Sequence, residues 1–160
     1  MGQEEIIVSK TDLNGRITYV NDVFLRISSF TREEVIGQPH SFIRHPDMPR
    51  CVFRLLWESI QNGKEIFAYV VNMTKNGDHY WVLANITPTF DAHGAIIGYH
   101  SNRRAPDRAA LDAIRPLYQQ LCAIERSHPR KAEAITASTQ ELQRHVAGGF
   151  SSYEEFVFSL

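Results

Sequence analysis

Three β-rich segments joined by turn sequences occupy the middle of the chain, and they restrict the folds that it can adopt. The segments cover residues 66–73, 79–90 and 95–101. The first connection contains Asn76-Gly77, a strong signal for a tight hairpin turn, and the second, at residues 91–94, also has turn chemistry. Since strands joined by tight turns pair in antiparallel orientation, the pattern predicts three consecutive strands of one antiparallel sheet.

The N-terminal part of the chain predicts a second pair of strands and two short helices. The strands correspond to two β-rich runs around a turn, at residues 6–8 and 17–20. Asn21 then has the position and chemistry of a helix N-cap. Thr31 and Glu34 match a capping box, in which each side chain accepts a hydrogen bond from the other residue's backbone at the start of a helix.

A longer helix is predicted at residues 51–61, with apolar side chains at helical spacing: Phe53, Leu56, Trp57 and Ile60. The order of the elements predicts an α+β domain, with five strands in one meandering antiparallel sheet and short helices on one face. A layered domain of this kind can enclose a pocket for a small ligand between the sheet and the helices.

The last third of the chain has a different, helical pattern. Residues 107–126 have apolar side chains along one stripe and predict an amphipathic helix, which Pro116 should kink. A second helix is predicted at residues 131–147. The chain therefore divides into a domain at residues 5–104 and a helical C-terminal extension at residues 105–160, with a role in signalling or dimerisation.

Composition and charge disfavour several classes of protein. The chain has 160 residues, 43% of them hydrophobic, and a formal net charge of −1, which is typical of a globular domain that does not bind nucleic acid. No apolar run approaches the roughly 20 residues of a membrane-spanning helix.

The two cysteines lack CxxC spacing, so a metal site is not expected and the reducing cytoplasm is the expected location. No nucleophile elbow, phosphate-binding loop or dinucleotide-binding glycine motif is present, so we do not expect an enzyme.

The stretch FIRHPDMPR carries several polar groups around two prolines that stiffen the loop. Arg44 has a planar fork of donors suited to a phosphate or a carbonyl edge, and His45 can donate or accept a hydrogen bond. Together with Asp47 they are candidate contacts to a polar ligand. The alternative is that Asp47 and Arg50 cap the following helix while Arg44 forms a surface ion pair.

Two groups of motifs resemble a family of sensory domains. The pattern D-x-x-G-x-I-x-x-x-N, which starts at Asp12, and the sequence EVIGQ resemble the opening of a PAS domain. IRHPDMPR, followed by Trp57 and then by KNGDHYW, resembles more narrowly the PAS domain of the bacterial aerotaxis receptor family. The resemblance covers residues 6–104. It implies a PAS fold, an FAD cofactor and indirect sensing of redox state or oxygen.

The resemblance also implies which residues contact the flavin. The family positions that correspond to Arg44, His45 and Asp47 matter for flavin retention, and Asn72 matches a family asparagine before the Asn-Gly turn. Trp57 could stack on the flat isoalloxazine ring, and the amide of Asn72 could pair with the polar edge of that ring. The alternatives are core packing for Trp57 and an amide satisfied within the sheet for Asn72.

Four other residues bear on the pocket. Phe67 and Tyr69 are bulkier than the residues more often found on this strand in the family, so they could narrow or cover the pocket. His79 is expected at the rim of the sheet, although a lone strand histidine could also ligate a haem. Cys51 is expected to be a small buried apolar residue, because the motif around the flavin-reactive cysteine of light-sensing relatives is absent.

Together, these expectations predict that the domain senses a signal. Reduction of bound FAD would change the charge and hydrogen bonding of its ring, and the loop or the sheet would pass this change to the helices at residues 107–147. A homodimer partner or a separate downstream protein would receive the signal, as in aerotaxis. The alternatives are a cofactor-free binding or dimerisation module and a sensor of a small metabolite or of haem.

Overall fold

A five-stranded antiparallel sheet with helices around it forms the computed structural model, which describes residue 2 and residues 4–160. The strands are β1 (Ile7–Thr11), β2 (Ile17–Val20), β3 (Ile66–Met73), β4 (His79–Phe90) and β5 (Ile96–Arg104). Their order across the sheet is β2-β1-β5-β4-β3. The predicted α+β fold with five antiparallel strands is confirmed. The sheet is not a simple meander, however, because β1 pairs with β5 and the last strand lies at the centre.

Six helices of the described chain surround the sheet, and the first two begin at the caps that the sequence predicts. They are α1 (Asp22–Ser28), α2 (Arg32–Val35), α3 (Arg50–Gln61), α4 (Arg108–Ser127), α5 (Lys131–Ala147) and α6 (Tyr153–Phe158), with a 3-10 turn at His40–Ile43 before α3. The side chain of Asn21 accepts a hydrogen bond from the backbone N–H of Phe24 at 3.0 Å. Thr31 and Glu34 form the predicted reciprocal capping box at the start of α2. Both predicted caps are confirmed.

The junction of β1 and β5 depends on a glycine. A Cβ atom at Gly98 would lie 2.4 Å from the backbone oxygen of Thr11, far inside the van der Waals contact distance. Glycine therefore allows the end of β1 to run close beside β5, which joins the N-terminal strand pair to the other three strands.

The C-terminal helices pack on the same chain and cover the edge of the sheet at β3. The hydroxyl of Tyr118, in α4, donates a hydrogen bond to the backbone oxygen of Tyr69, and the Tyr69 hydroxyl donates to the backbone oxygen of Val157, in α6, at 3.4 Å. Covering an edge strand in this way protects its backbone groups from pairing with another chain. Within the described residues, no helix combines the length and the apolar character needed to cross a bilayer.

The two bulky residues of β3 serve this packing and do not narrow the pocket. Successive side chains of a strand point to opposite faces, so Phe67 and Tyr69 lie on the face opposite to Val70 and Asn72. The Phe67 ring packs against Phe158 with 4.7 Å between ring centroids. The expectation that Phe67 and Tyr69 restrict the ligand cavity is therefore wrong.

A buried carboxylate joins α4 to the start of α3. Glu125 is 9% exposed, and its carboxylate oxygens accept hydrogen bonds from the backbone N–H groups of Arg50 and Cys51, both at 3.0 Å, and from the Ser138 hydroxyl at 2.8 Å. The N-terminal N–H groups of a helix need such acceptors, and a negative charge there also interacts favourably with the helix dipole. The alternative that Asp47 and Arg50 cap this helix is wrong, because a residue distant in sequence supplies the cap.

Replacing Gly98 with alanine should lower the free energy of unfolding by about 1–3 kcal/mol, because the added methyl group forces β1 and β5 apart. Urea denaturation of the purified protein measures the effect. Gly149→Ala is the control, since no described atom outside its immediate neighbours lies within 4 Å of a Cβ placed there. Equal effects of the two substitutions would contradict the close approach at Gly98.

Replacing Glu125 with alanine should lower the free energy of unfolding by about 2–4 kcal/mol, because it removes the partners of two helix N–H groups and a hydroxyl. Glu133→Ala is the control, since its partner Arg130 is an exposed i,i+3 neighbour and such surface pairs contribute less than about 1 kcal/mol. Thermal and urea unfolding should rank the two variants in this order, and the reverse order would show that the Glu125 contacts add little to stability.

Candidate functional site

A cavity of about 200 Å³ lies between α3 and one face of the sheet. Strands β1, β3, β4 and β5 form its floor, α3 forms its roof, and the segment from Pro39 to Arg44 closes one side. It is the pocket that the layered fold predicts, and its walls combine apolar side chains with a similar number of polar and charged ones.

The roof of the cavity contains Trp57. The indole meets Tyr99 of β5 edge-on, with 5.5 Å between ring centroids and 90° between ring planes. Gly15 supports it from the turn between β1 and β2: its φ is +76°, and a Cβ atom there would lie 3.0 Å from the indole ring. Trp57 therefore has a core contact, as the packing alternative expects, and also lines the cavity, as the ligand hypothesis requires.

Arg44 lines the cavity beside Phe53. Its backbone forms an isolated antiparallel bridge with Asn72, and its guanidinium carbon lies 3.4 Å from the centroid of the Phe53 ring. Its buried Nε atom has no hydrogen-bond partner among the described residues. Burial, and to a smaller extent the charge of Arg50, lower the pKa of Arg44. The surface ion pair considered as an alternative for Arg44 is not formed within the described chain.

Asn72 also lines the cavity, and it is only 3% exposed. Within the part of the chain that the structure describes, its side-chain nitrogen Nδ2 has no hydrogen-bond partner. The alternative of an amide fully satisfied within the sheet is therefore wrong. A buried amide donor without a partner costs free energy, and such a group in a cavity wall is available to a ligand.

The sequence prediction missed Arg103, His40 and Ser9, which form a polar cluster in the cavity wall. Arg103, on β5, is 4% exposed, and its Nη2 donates hydrogen bonds to the Ser9 hydroxyl at 3.1 Å and to Nε2 of His40. Burial lowers the pKa of Arg103 to about 10, so the guanidinium stays charged at neutral pH. Burial and the charge of Arg103 hold the pKa of His40 well below its usual value. The predicted strand stops at residue 101; extending it by two residues would have placed Arg103 on the same face as Ser101 and so identified it.

His45 and Asp47 do not line the cavity. The His45 ring lies beside His79, with 5.6 Å between ring centroids, and its Nδ1 accepts a hydrogen bond from the backbone N–H of Asp47. The Asp47 carboxylate pairs with Arg126 of α4 at 2.7 Å. The predicted direct contact of both residues with a ligand therefore has no support in the geometry, because neither side chain lines the cavity.

Two further residues lie outside the cavity. His79 is exposed at the start of β4, at the rim of the sheet as expected, so it is not placed to ligate a haem in this cavity. Cys51 is 1% exposed and lies outside the cavity wall, close to Glu125. Burial raises the pKa of the Cys51 thiol to about 11, which agrees with the expected small apolar residue.

Comparison with known sequences identifies the domain. The model of the family described as "PAS domain" matches residues 4–101. The aerotaxis receptor of Escherichia coli (strain K12) is 41% identical over 123 residues, which are 77% of this chain and 24% of the receptor. Phototropin-1A of Oryza sativa subsp. japonica is 30% identical over 80 residues, or 50% of this chain and 9% of the phototropin. The chain thus spans less than a quarter of the length of either relative.

Solved structures share the fold. A light-oxygen-voltage domain studied with a flavin analogue superimposes with a TM-score of 0.61 at 18% identity, over 68% of this chain and 82% of that domain. The light-state dimer of the fungal blue-light photoreceptor Vivid gives a TM-score of 0.55 at 21% identity, over 61% of this chain and 76% of that chain. The family match over residues 4–101, together with this fold, shows that the chain belongs to the PAS domain family and that its PAS domain is related to that of the aerotaxis receptor.

Proposed function

We propose that residues 5–104 are a sensor domain that binds the ring system of FAD in this cavity and reports redox state or oxygen. The observation that carries the proposal is the set of buried polar atoms without partners in the described residues, Nε of Arg44 and Nδ2 of Asn72, beside the indole of Trp57 in one cavity. A flat ring with apolar faces and a polar edge would satisfy all three, since its faces contact aromatic side chains and its edge accepts hydrogen bonds.

Relatives and the size of the cavity support a flavin ring as the ligand. One relative is an aerotaxis receptor, and one structural neighbour is a domain studied with a flavin analogue. The cavity volume of about 200 Å³ lies below the roughly 300–1,000 Å³ of common ligand pockets, so it is too small to enclose the complete dinucleotide. When bound, the flavin would supply a reversible electron acceptor whose charge and hydrogen bonding change on reduction.

The loop after Arg44 provides a route from the cavity to the C-terminal helices. Arg44 lines the cavity, whereas Asp47 and the backbone of Arg50 contact α4 through Arg126 and Glu125. We infer that a shift of Arg44 on flavin reduction moves this loop and changes how α4 packs on α3. Residues 105–160 would then act as the output segment, toward a homodimer partner or a separate signalling protein.

The small cavity also favours a second candidate, a PAS module that binds a small metabolite or that acts in dimerisation without a redox cofactor. Apolar side chains are exposed on the surface outside the cavity, with Ile97 and Ile6 each 54% exposed. Such a surface suits association with another chain.

The absorption spectrum should separate the two candidates. We expect flavin bands in the visible blue from the purified protein or after reconstitution with FAD, and Trp57→Ala should lower the affinity for FAD roughly tenfold through lost ring contacts. Phe90→Ala is the control, because Phe90 is an exposed aromatic residue outside the cavity. A protein that stays colourless with FAD would support the second candidate, and equal losses in both variants would place the flavin elsewhere.

Hydrogen exchange should detect the proposed route. In the FAD-bound protein, reduction should change amide exchange in the loop at residues 44–51 and in the last turns of α4. Glu125→Gln should reduce the change in α4 while the flavin spectrum persists, because the amide keeps the size of the side chain but replaces one of the two oxygens that accept hydrogen bonds from the start of α3 with an NH2 donor. Glu133→Gln should leave both changes intact. If wild-type α4 shows no difference between oxidised and reduced protein, the route is wrong.

A further inference from the structure

We propose that Arg103, supported by His40 and Ser9, is an anion-binding subsite in the cavity and directly contacts a negatively charged group of the ligand. The inference rests on the proposed use of this cavity as a ligand site, and it adds the charge of the group that the cavity recognises.

The guanidinium of Arg103 is only partly satisfied by the protein. Its Nη2 atom has two acceptors, Ser9 and His40, while the buried Nη1 atom has no partner among the residues that the structure describes. A buried charge loses its hydration and normally requires an opposite charge in compensation.

The cavity wall does not provide that opposite charge. Among its described lining residues there is no aspartate or glutamate, and Arg44 adds a second cation with an unpaired buried donor. The groups that face Arg103 are neutral: His40 accepts through Nε2 as an uncharged imidazole, and burial raises the pKa of the Tyr80 phenol, so it stays protonated. The wall thus carries two positive charges without a protein counter-ion.

A site with this charge binds an anionic group more tightly than a neutral one. Replacing a buried, unpaired charge with an apolar side chain usually stabilises a fold, so an arginine in this position indicates a ligand that compensates its charge. In a flavin nucleotide the negative group is either a phosphate or the polar edge of the ring after it has taken up electrons. Arg103 would donate hydrogen bonds to the anion in either case. A phosphate would change the relative affinities for different flavins, whereas the reduced ring would change the midpoint potential.

The first experiment compares FAD, FMN and riboflavin, which share the ring but differ in phosphate. Binding and midpoint potential are measured for the wild type, Arg103→Met and Arg103→Lys. Arg104→Met is the matched control, since Arg104 is the adjacent residue, is exposed, and loses the same charge. If a phosphate is the anion, wild type binds FMN and FAD more tightly than riboflavin, and Arg103→Met removes roughly tenfold or more of that preference.

If the reduced ring is the anion, Arg103→Met leaves the affinity for all three oxidised flavins nearly unchanged and makes the midpoint potential more negative. Arg103→Lys should preserve part of either effect, and Arg104→Met should show neither. The inference is overturned if Arg103→Met weakens all three flavins equally without a change in potential, or if it changes nothing.

A second experiment tests the anion-binding subsite in protein that contains no flavin. Ligand-free Arg103→Met should melt at the same temperature as the wild type or higher, and inorganic phosphate should raise the melting temperature of wild type but not of the variant. If no flavin binds the wild type, the proposed function fails, and loss of the phosphate effect in Arg103→Met still supports the subsite. A lower melting temperature of the ligand-free variant, or equal phosphate effects, would make Arg103 a structural residue and refute the proposal.

Discussion

The hydrogen bonds from the start of α3 to the buried carboxylate of Glu125 determine where the roof of the cavity lies. Pro49 cannot cap α3, because proline has no side-chain acceptor. The first N–H groups of α3 therefore depend on Glu125, a residue of α4. Since α3 carries Trp57 over the sheet, the same contacts set the position of the cavity wall and tie it to the C-terminal helices.

The buried side-chain nitrogens that lack a partner among the described residues all lie in the cavity wall, whereas the hydroxyls of Ser28, Thr74 and Tyr80 lack one outside it. Elsewhere, caps, turns and strand alternation agree with one another, as expected for a chain with one stable structure. In the cavity, Arg44, Asn72 and Arg103 each keep a buried donor without a partner in the described residues, and each such donor costs free energy. Departures of this kind are typical of functional sites, where the ligand completes what the protein leaves open.

The loop FIRHPDMPR has two roles that its composition does not separate. Arg44 faces the cavity, while Asp47 pairs with Arg126 on the opposite side. Arg44, His45 and Asp47 were all expected to contact one ligand, because adjacency in sequence gives no information about which side of a stiff loop faces the interior. The loop is better described as a connection between the cavity wall and α4.

Local patterns in the sequence determined the strands, the helices and the caps of α1 and α2, because turn dipeptides, capping residues and apolar periodicity act over a few neighbouring residues. The apolar spacing of the helix pointed to Trp57 and the family resemblance pointed to Asn72, and both line the cavity. Only the tertiary structure decided that Glu125 caps α3, that Phe67 and Tyr69 face α6, and that a charged Arg103 is buried opposite Ser9 and His40. Those contacts join residues far apart in the chain, so their partners are fixed by packing and not by any local preference.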